Sequence, residues 1–248
     1  MHIESPILTA PRKALVLSSG GMFGAYQAGA WEVLSETFQP DIVVGASIGC
    51  LNGWAIAGGC SPRELVNRWV ALNDTSRKLN GEKLHRWVRE LYGAYQPAKE
   101  FGVVVTDLLR LKPKLFTTPD IAWEHLAASC AIFGLLPQMR IEGRLYSDGG
   151  LLHPVPLWAA CEMGATEIVV INVLPAMPGS VLQACVRAFR AVAPKPPAVP
   201  AGPRVTVLEP ARFLGSPLES IYWSESNARR WIDQGREEAM RVIGQNTG

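Results

Sequence analysis

A serine stands between two glycines at a predicted strand-to-helix junction of this 248-residue chain. Gly45-Ala46-Ser47-Ile48-Gly49 follows the apolar run Ile42–Val44 and precedes residues spaced as a helix. In such a G-x-S-x-G turn, the glycines make room for a sharp bend that projects the serine hydroxyl above the sheet. The positive end of the helix dipole also favours an oxyanion there. The pattern predicts Ser47 as a nucleophile, with a tight turn as the alternative.

A serine hydroxyl needs a base to take its proton. Asp148, in Ser147-Asp148-Gly149-Gly150, follows a predicted strand, although Asp-Gly-Gly is also a common turn. His153 lies five residues further along, and the other three histidines stand in no comparable context. From the residues alone, a Ser–Asp pair and a Ser–Asp–His triad both stay open.

A second glycine-rich loop follows the first predicted strand, as Ser18-Ser19-Gly20-Gly21-Met22-Phe23-Gly24. Glycines there expose backbone N–H groups at the start of a helix, which suits an anion. The order of residues lacks the G-x-G-x-x-G of a dinucleotide site and the Gly-Lys-Ser/Thr of a P-loop. An oxyanion hole beside Ser47 fits this loop best.

These motifs fall on strands that alternate with helices. Strands are predicted at Ala14–Leu17, Ile42–Val44, Val103–Val105, Lys114–Phe116, Gly143–Tyr146, Glu167–Val173 and Arg204–Leu208. Helices are predicted at Gly24–Phe38, Ser47–Ala57, from Ser61 onward, Gly81–Leu91, Pro119–Cys130, Pro154–Met163 and Tyr222–Ile243. The alternation predicts an α/β fold with a mostly parallel sheet covered on both faces. We expect residues 1–248 to form one domain. A proline-rich stretch at about 175–203 is expected as a packed surface excursion, with a lid as the alternative.

Composition narrows the class of protein. With 48% hydrophobic residues and a net charge of +2, the chain is neither disordered nor typical of a nucleic-acid binder. Five scattered cysteines without a C-x-x-C pair argue against a disulfide framework or a zinc site. No secretory signal is visible, and the uncharged stretches 14–31 and 42–62 fit strand–turn–helix units better than membrane spans. We expect a cytoplasmic protein without metal or cofactor.

Several motifs together resemble one known family. LVLSSGGMFGAYQAGAWEVL, VVGASIGCLNG, AASCAIFGLLP and GRLYSDGG, followed by MGATEIVVINV, are similar in content and order to the patatin-like phospholipases across nearly the whole chain. The resemblance implies a three-layer α/β/α sandwich and a Ser–Asp dyad without a histidine. It assigns Ser47 as nucleophile, Asp148 as general base, and the amides of Gly20, Gly21 and Met22 as the oxyanion hole. The glycines that would support these motifs are Gly24, Gly45, Gly49, Gly149 and Gly150.

The same resemblance implies hydrolysis of acyl esters of phospholipids or other lipids, with at most a transient contact with a membrane surface. Four positions depart from the family pattern. Ser19 and Phe23 replace a glycine and the basic residue of G-G-G-x-Arg/Lys-G, Phe133 replaces a proline, and His153 replaces an asparagine. Without that cation, a preference for phosphate headgroups is in question. A degenerate, lipid-binding relative is therefore the alternative function, and acyl transfer to an acceptor other than water also stays open.

Two predicted helices carry cations that could meet anionic lipid, namely Arg63 and Arg68 on one and Lys83, Arg86 and Arg89 on the other. A solvated helix face is the commoner explanation for such charges, and the sequence favours it. The tryptophans on the apolar stripes of these helices are likewise expected to pack in the core rather than line an acyl pocket.

Overall fold

The computed structural model describes residues 10–72, 80–174, 194 and 197–246. Strands are β1 (Lys13–Leu17), β2 (Ile42–Ala46), β3 (Glu100–Asp107), β4 (Lys112–Thr117), β5 (Met139–Ile141), β6 (Arg144–Asp148), β7 (Glu167–Ile171) and β8 (Arg204–Leu208). Helices are α1 (Gly24–Leu34), α2 (Ile48–Ala57), α3 (Pro62–Val70), α4 (Gly81–Ala94), α5 (Trp123–Ser129), α6 (Leu157–Glu162) and α7 (Glu225–Asn246). Most of the proline-rich stretch at about 175–203, with the helix expected in it, lies outside the described residues.

The strands of the described residues form one mixed sheet in the order β5–β6–β3–β2–β1–β7–β8, with β4 paired to β3. Strands β3, β2, β1, β7 and β8 are parallel to one another. Strands β4, β5 and β6 pair antiparallel. The predicted α/β class with a mostly parallel sheet is therefore confirmed.

Alternate residues of the central strands point to two different buried layers. Leu15, Leu17 and Val43 belong to the larger layer, together with side chains of α1 to α5 and α7. Ala14 and Val16 belong to a smaller layer that packs against α6. Because strand side chains alternate between the two faces of a sheet, both faces are covered, and the three-layer arrangement follows.

Helices α1, α5 and α6 are shorter than predicted, α1 ending at Leu34 rather than Phe38, and strand β5 is absent from the prediction. Helix α5 begins at Trp123 rather than near Pro119, since the Ala122 N–H donates to Nδ1 of His125 and fixes the start of the helix. Helix α6 begins at Leu157, after Pro154 and Pro156. Strand β5 has only three residues, too few to show a periodic pattern. Within the described residues, no helix has the length and apolarity that crossing a membrane requires.

The pairing of β3 with its neighbours places the end of β6 next to the start of α2. Strand β4 occupies one edge of β3 from Gly102 to Asp107. On the other edge, β2 pairs as far as Val104, and β6 pairs with the three residues that follow. Strands β2 and β6 therefore approach each other end to end, and Asp148, opposite Val105, arrives where β2 turns into α2.

Candidate active site

Ser47 lies between β2 and α2 in a strained backbone conformation. Its φ of 53° and ψ of −127° are uncommon for a residue with a side chain, and such conformations cost about 1–3 kcal/mol. A Cβ on Gly45 would overlap the backbone of Gly49, and a Cβ on Gly49 would overlap the carbonyl oxygens of Leu17 and Ser18. The steric reason given for the two glycines of G-x-S-x-G therefore applies here.

A second serine holds this turn. The Ser47 N–H donates to Oγ of Ser129 at 2.9 Å, and the Ser129 hydroxyl donates to the Val104 carbonyl at 2.7 Å. Ser129 is fully buried at the end of α5, so both hydrogen bonds are shielded from water. The hydroxyl thus joins β3 to the nucleophile turn from a position 82 residues away in sequence.

Asp148 lies next to Ser47, with its side chain almost entirely buried. Its carboxylate accepts a hydrogen bond from the Gly150 N–H at 2.7 Å. Burial raises the pKa of Asp148 to about 6, and the interactions of the carboxylate with the Ser47 side chain and the Gly150 N–H lower it only in part. At neutral pH the Asp148 carboxyl group is therefore mostly ionised and able to accept a proton. It is also a stronger base than the carboxylate of an exposed aspartate.

The two glycines after Asp148 allow close backbone approach. A Cβ on Gly149 would overlap the Val104 carbonyl oxygen. One on Gly150 would overlap the side chain of Ser19 and lie 3.0 Å from Oδ1 of Asp148. Ser19, in the glycine-rich loop after β1, is therefore packed directly against the segment that carries the Asp148 carboxylate.

The loop after β1 exposes two backbone amides. Within the described part of the chain, the N–H groups of Gly20 and Gly21 donate to no other residue. The Met22 N–H, in contrast, donates to the Ser220 carbonyl at 2.9 Å. Gly21 has a φ of 57°, and a Cβ there would overlap the same carbonyl oxygen. The segment before α7 therefore lies directly on this loop.

A cavity of about 440 Å³ lies between α2, α3 and α4. It reaches the loop at Met22 and the nucleophile turn at Ile48, the residue after Ser47. Its remaining lining consists mostly of leucines and tryptophans, with three charged residues: Leu51, Asn52, Leu65, Arg68, Trp69, Ala71, Leu72, Arg86, Trp87, Glu90 and Leu91. Its volume is within the range of pockets that bind small molecules.

One wall of this cavity is fixed by a chain of buried hydrogen bonds. Nε1 of Trp69 donates to Oδ1 of Asn52 at 3.0 Å. Nδ2 of Asn52 donates to Oε1 of Gln27 and to the Gly24 carbonyl, both at 2.9 Å. Nε2 of Gln27 donates to the Ser18 carbonyl at 2.7 Å. The cavity wall is therefore connected to the glycine-rich loop through polar groups that all have partners.

Residues 15–99 and 79–161 match the family model described as patatin-like phospholipase, which covers more than half of the chain. The chain belongs to the patatin-like phospholipase family. Among curated proteins, an uncharacterised NTE family protein of Mycobacterium tuberculosis is 29% identical over 179 residues, which are 66% of this chain and 49% of that protein. The chain thus spans about half the length of this relative.

Longer relatives are also similar. A protein named lysophospholipase nte1 from Aspergillus terreus is 26% identical over 178 residues, or 64% of this chain and 12% of that protein. Neuropathy target esterase sws of Drosophila melanogaster is 24% identical over 190 residues, or 67% of this chain and 13% of that protein. Among solved structures, VipD from Legionella pneumophila has a TM-score of 0.55 at 15% identity, covering 96% of this chain and 67% of that one. The last comparison supports the fold.

The structure shows the surroundings of three of the four residues that depart from the patatin pattern. Phe23, at the usual basic position, is buried and packs edge-to-face on Trp231 of α7, with ring centroids 5.0 Å apart. Phe23 is therefore a core residue rather than a residue of the site. His153 is not among the hydrogen-bond partners of Ser47 or Asp148. Phe133, at the usual proline position, lies in an exposed turn after α5.

Sequence reasoning missed the role of Ser129. It is part of the quoted AASCAIFGLLP motif, but neither periodicity nor spacing relates it to Ser47.

Among the residues that the structure describes, no cluster of three His, Cys, Asp or Glu side chains is arranged to hold a metal ion.

Proposed function

We propose that the chain is a serine hydrolase of lipid acyl esters, with Ser47 as nucleophile and Asp148 as general base. The observation that carries this proposal is a serine at a strained strand-to-helix turn whose side chain interacts with the buried carboxylate of Asp148. Membership of the patatin-like phospholipase family supports it. The names lysophospholipase and esterase, borne by longer relatives, agree with this class of reaction.

In the first half of the reaction, Oγ of Ser47 attacks the ester carbonyl carbon as its proton moves to Asp148. Negative charge then develops on the carbonyl oxygen. The N–H groups of Gly20 and Gly21 are its proposed donors, and single donors of this kind contribute about 3 kcal/mol. The Met22 amide joins them only when the Ser220 carbonyl is displaced. Asp148 then gives its proton to the departing alcohol, and an acyl-enzyme remains.

In the second half, water attacks the acyl-enzyme and gives a proton to Asp148. The tetrahedral intermediate collapses, the fatty acid leaves, and Ser47 regains its proton from Asp148. The carboxylate of Asp148 lies beside Ser47, so the proposal assigns both proton transfers to this one group. An alcohol in place of water would give acyl transfer by the same steps, and product analysis with added glycerol distinguishes the two.

The test is hydrolysis of p-nitrophenyl esters of graded chain length. We expect Ser47→Ala to abolish turnover, and Asp148→Asn to lower kcat by about 10²–10⁴-fold, the usual contribution of a general base. Asp107→Asn is the matched control, because Asp107 is also buried at the end of a neighbouring strand but contacts other partners. Full activity of Asp148→Asn would refute the assignment of the base.

A lipid-binding protein without hydrolytic activity is the second candidate. The Ser220 carbonyl on the Met22 amide favours it, since one predicted oxyanion donor is engaged. A fluorophosphonate probe separates the two functions, because it labels only an activated serine. Labelling of wild type but not of Ser47→Ala supports the hydrolase. Lipid binding without labelling supports the second candidate.

A further inference from the structure

The cavity between α2, α3 and α4 combines an apolar wall with unbalanced positive charge. Its leucines and tryptophans suit an alkyl chain. Arg68 on α3 and Arg86 on α4 also line it, with Glu90 as the one acidic residue among the described lining residues, which together carry a net charge of +1. An uncharged alkyl chain alone would not need two arginines beside it.

Neither arginine is neutralised within the described part of the chain. No carboxylate of those residues forms an ion pair with Arg68 or Arg86. The guanidinium of Arg68 lies 5.4 Å from the ring centroid of Tyr95, a contact that leaves its charge in place. Both side chains are exposed, and both remain able to donate hydrogen bonds to an anion.

The cavity is also connected to the reacting atoms. Ile48 is the residue after Ser47, and Met22 is the residue after the proposed oxyanion donors. The ring of Trp69 and the side chain of Ile48 both pack against Gly24, where a Cβ would lie 2.6 and 2.5 Å from them. An ester with its carbonyl at Ser47 therefore has this apolar cavity beside it.

We propose that Arg68 and Arg86 form an anion site that selects single-chain esters with a negative charge near the ester, such as monoacyl glycerophosphates. The inference rests on the proposed function and assigns its charge selectivity. The apolar wall holds the chain, and the two guanidinium groups hold the phosphate. The patatin pattern places a cation in the oxyanion loop, but here that position is held by the core residue Phe23. Arg68 on α3 and Arg86 on α4 supply the positive charge instead.

The test compares two substrates that differ only in the phosphate, lauroyl lysophosphatidic acid and monolaurin. We expect wild type to prefer the phosphate ester in kcat/KM. In Arg68→Gln/Arg86→Gln this preference, measured as the ratio of the two kcat/KM values, should fall about tenfold or more, through the KM of the phosphate ester. Glu90→Gln should move the preference in the opposite direction, by about two- to threefold, since it removes the opposing charge.

Arg63→Gln/Arg89→Gln is the matched control. It removes the same charge from the same two helices at positions outside the cavity lining, and the preference should stay as in wild type. An unchanged preference in Arg68→Gln/Arg86→Gln overturns the inference. An equal loss in both double variants also overturns it, because the effect would then be general surface charge.

A binding measurement separates this inference from the proposed function. Trp69 and Trp87 line the cavity, so their fluorescence reports its occupancy in the Ser47→Ala variant. Dodecyl phosphate should bind more tightly than dodecyl maltoside, and the added substitutions at Arg68 and Arg86 should remove the difference. If wild type hydrolyses neither ester but this difference is found, the proposed function fails and the anion site stands. If esters are hydrolysed and the difference is missing, the anion site fails alone.

Discussion

The turn that carries Ser47 and the loop that carries Gly20 and Gly21 lie side by side, yet different parts of the chain hold them. The Ser47 turn is fixed by Val104, Ser129 and Asp148, all within the range that matches the patatin model. The glycine loop contacts residues beyond that range. Val173 packs on Gly20, Ser220 accepts from Met22, and Trp231 packs on Phe23.

The Ser47 turn and the glycine loop, the two halves of the site, are therefore held in place by different contacts. Buried hydrogen bonds between neighbouring strands position the nucleophile and the base. Packing and one backbone hydrogen bond from the C-terminal third position the proposed oxyanion donors. We therefore expect substitutions on the two sides to affect different quantities, and four of them test this expectation.

The largest effect is expected where the two halves touch. In Gly150→Ala the new methyl group would overlap Ser19 and crowd Asp148, and we expect kcat/KM to fall at least about 100-fold, as displacements of about 1 Å can. Ser19→Gly in the same chain should restore most of that loss. Gly93→Ala, where the methyl group meets open space, is the control. If the double variant is as impaired as Gly150→Ala, the crowding acts on Asp148 alone.

The pH dependence tests the nucleophile half. The pKa of Asp148 is raised to about 6 from 3.8, so activity should fall about tenfold per pH unit below 6, as the base becomes protonated. Because the folded state favours the protonated form, its contribution to stability is present below pH 4 and is lost as pH rises through 6.

Asp148→Asn, which stays neutral, should therefore be more stable than wild type above pH 6 by about 3 kcal/mol, the equivalent of a shift from 3.8 to about 6. The gain should shrink towards pH 4. Urea unfolding at both pH values measures it. An Asn variant no more stable than wild type at pH 8 contradicts the burial cost assigned to the carboxylate.

Ser129→Ala tests the support of the turn. It removes the acceptor of the buried Ser47 N–H and a donor to the Val104 carbonyl, and we expect about 2 kcal/mol lower stability with about tenfold lower kcat. Ser147→Ala is the control. The Ser147 hydroxyl donates to the Ala131 carbonyl, which also accepts from the Asp148 N–H, so no buried acceptor is left unpaired. Equal losses in both variants would remove the special role of Ser129.

The smallest effect is expected at Phe23. Phe23→Leu keeps an apolar side chain but loses the edge-to-face contact with Trp231, which contributes about 1 kcal/mol. KM for neutral and anionic esters should stay unchanged, since the ring faces α7 rather than the cavity lining. A change in KM for the anionic ester alone would contradict this prediction and indicate that Phe23 takes part in substrate binding.

The sequence could predict the α/β class and the strand-to-helix turn that carries Ser47, because strand–turn–helix motifs and buried strands have local signatures. The pairing of Asp148 with Ser47 was implied only by the resemblance to the patatin-like phospholipases. It could not predict that β6 shares an edge of β3 with β2, since antiparallel pairing over three residues leaves no periodic signal. The role of Ser129 and the contact between Ser220 and Met22 depend on residues far apart in sequence. The charges of Arg68 and Arg86 were expected to lie on a solvated helix face, since helical spacing gives no information about the cavity that these residues line.

The hydrogen-bonded chain from Trp69 through Asn52 to Gln27 makes part of the cavity lining sensitive to substitution, whereas the purely apolar part should tolerate redesign. On the polar side, any shortened side chain leaves a buried partner unsatisfied and disturbs the loop beyond it. Elsewhere in the lining, Leu65 and Leu91 contribute only apolar contacts. An engineer who wants a variant for longer acyl chains should therefore carve space at the leucines and leave the tryptophan untouched.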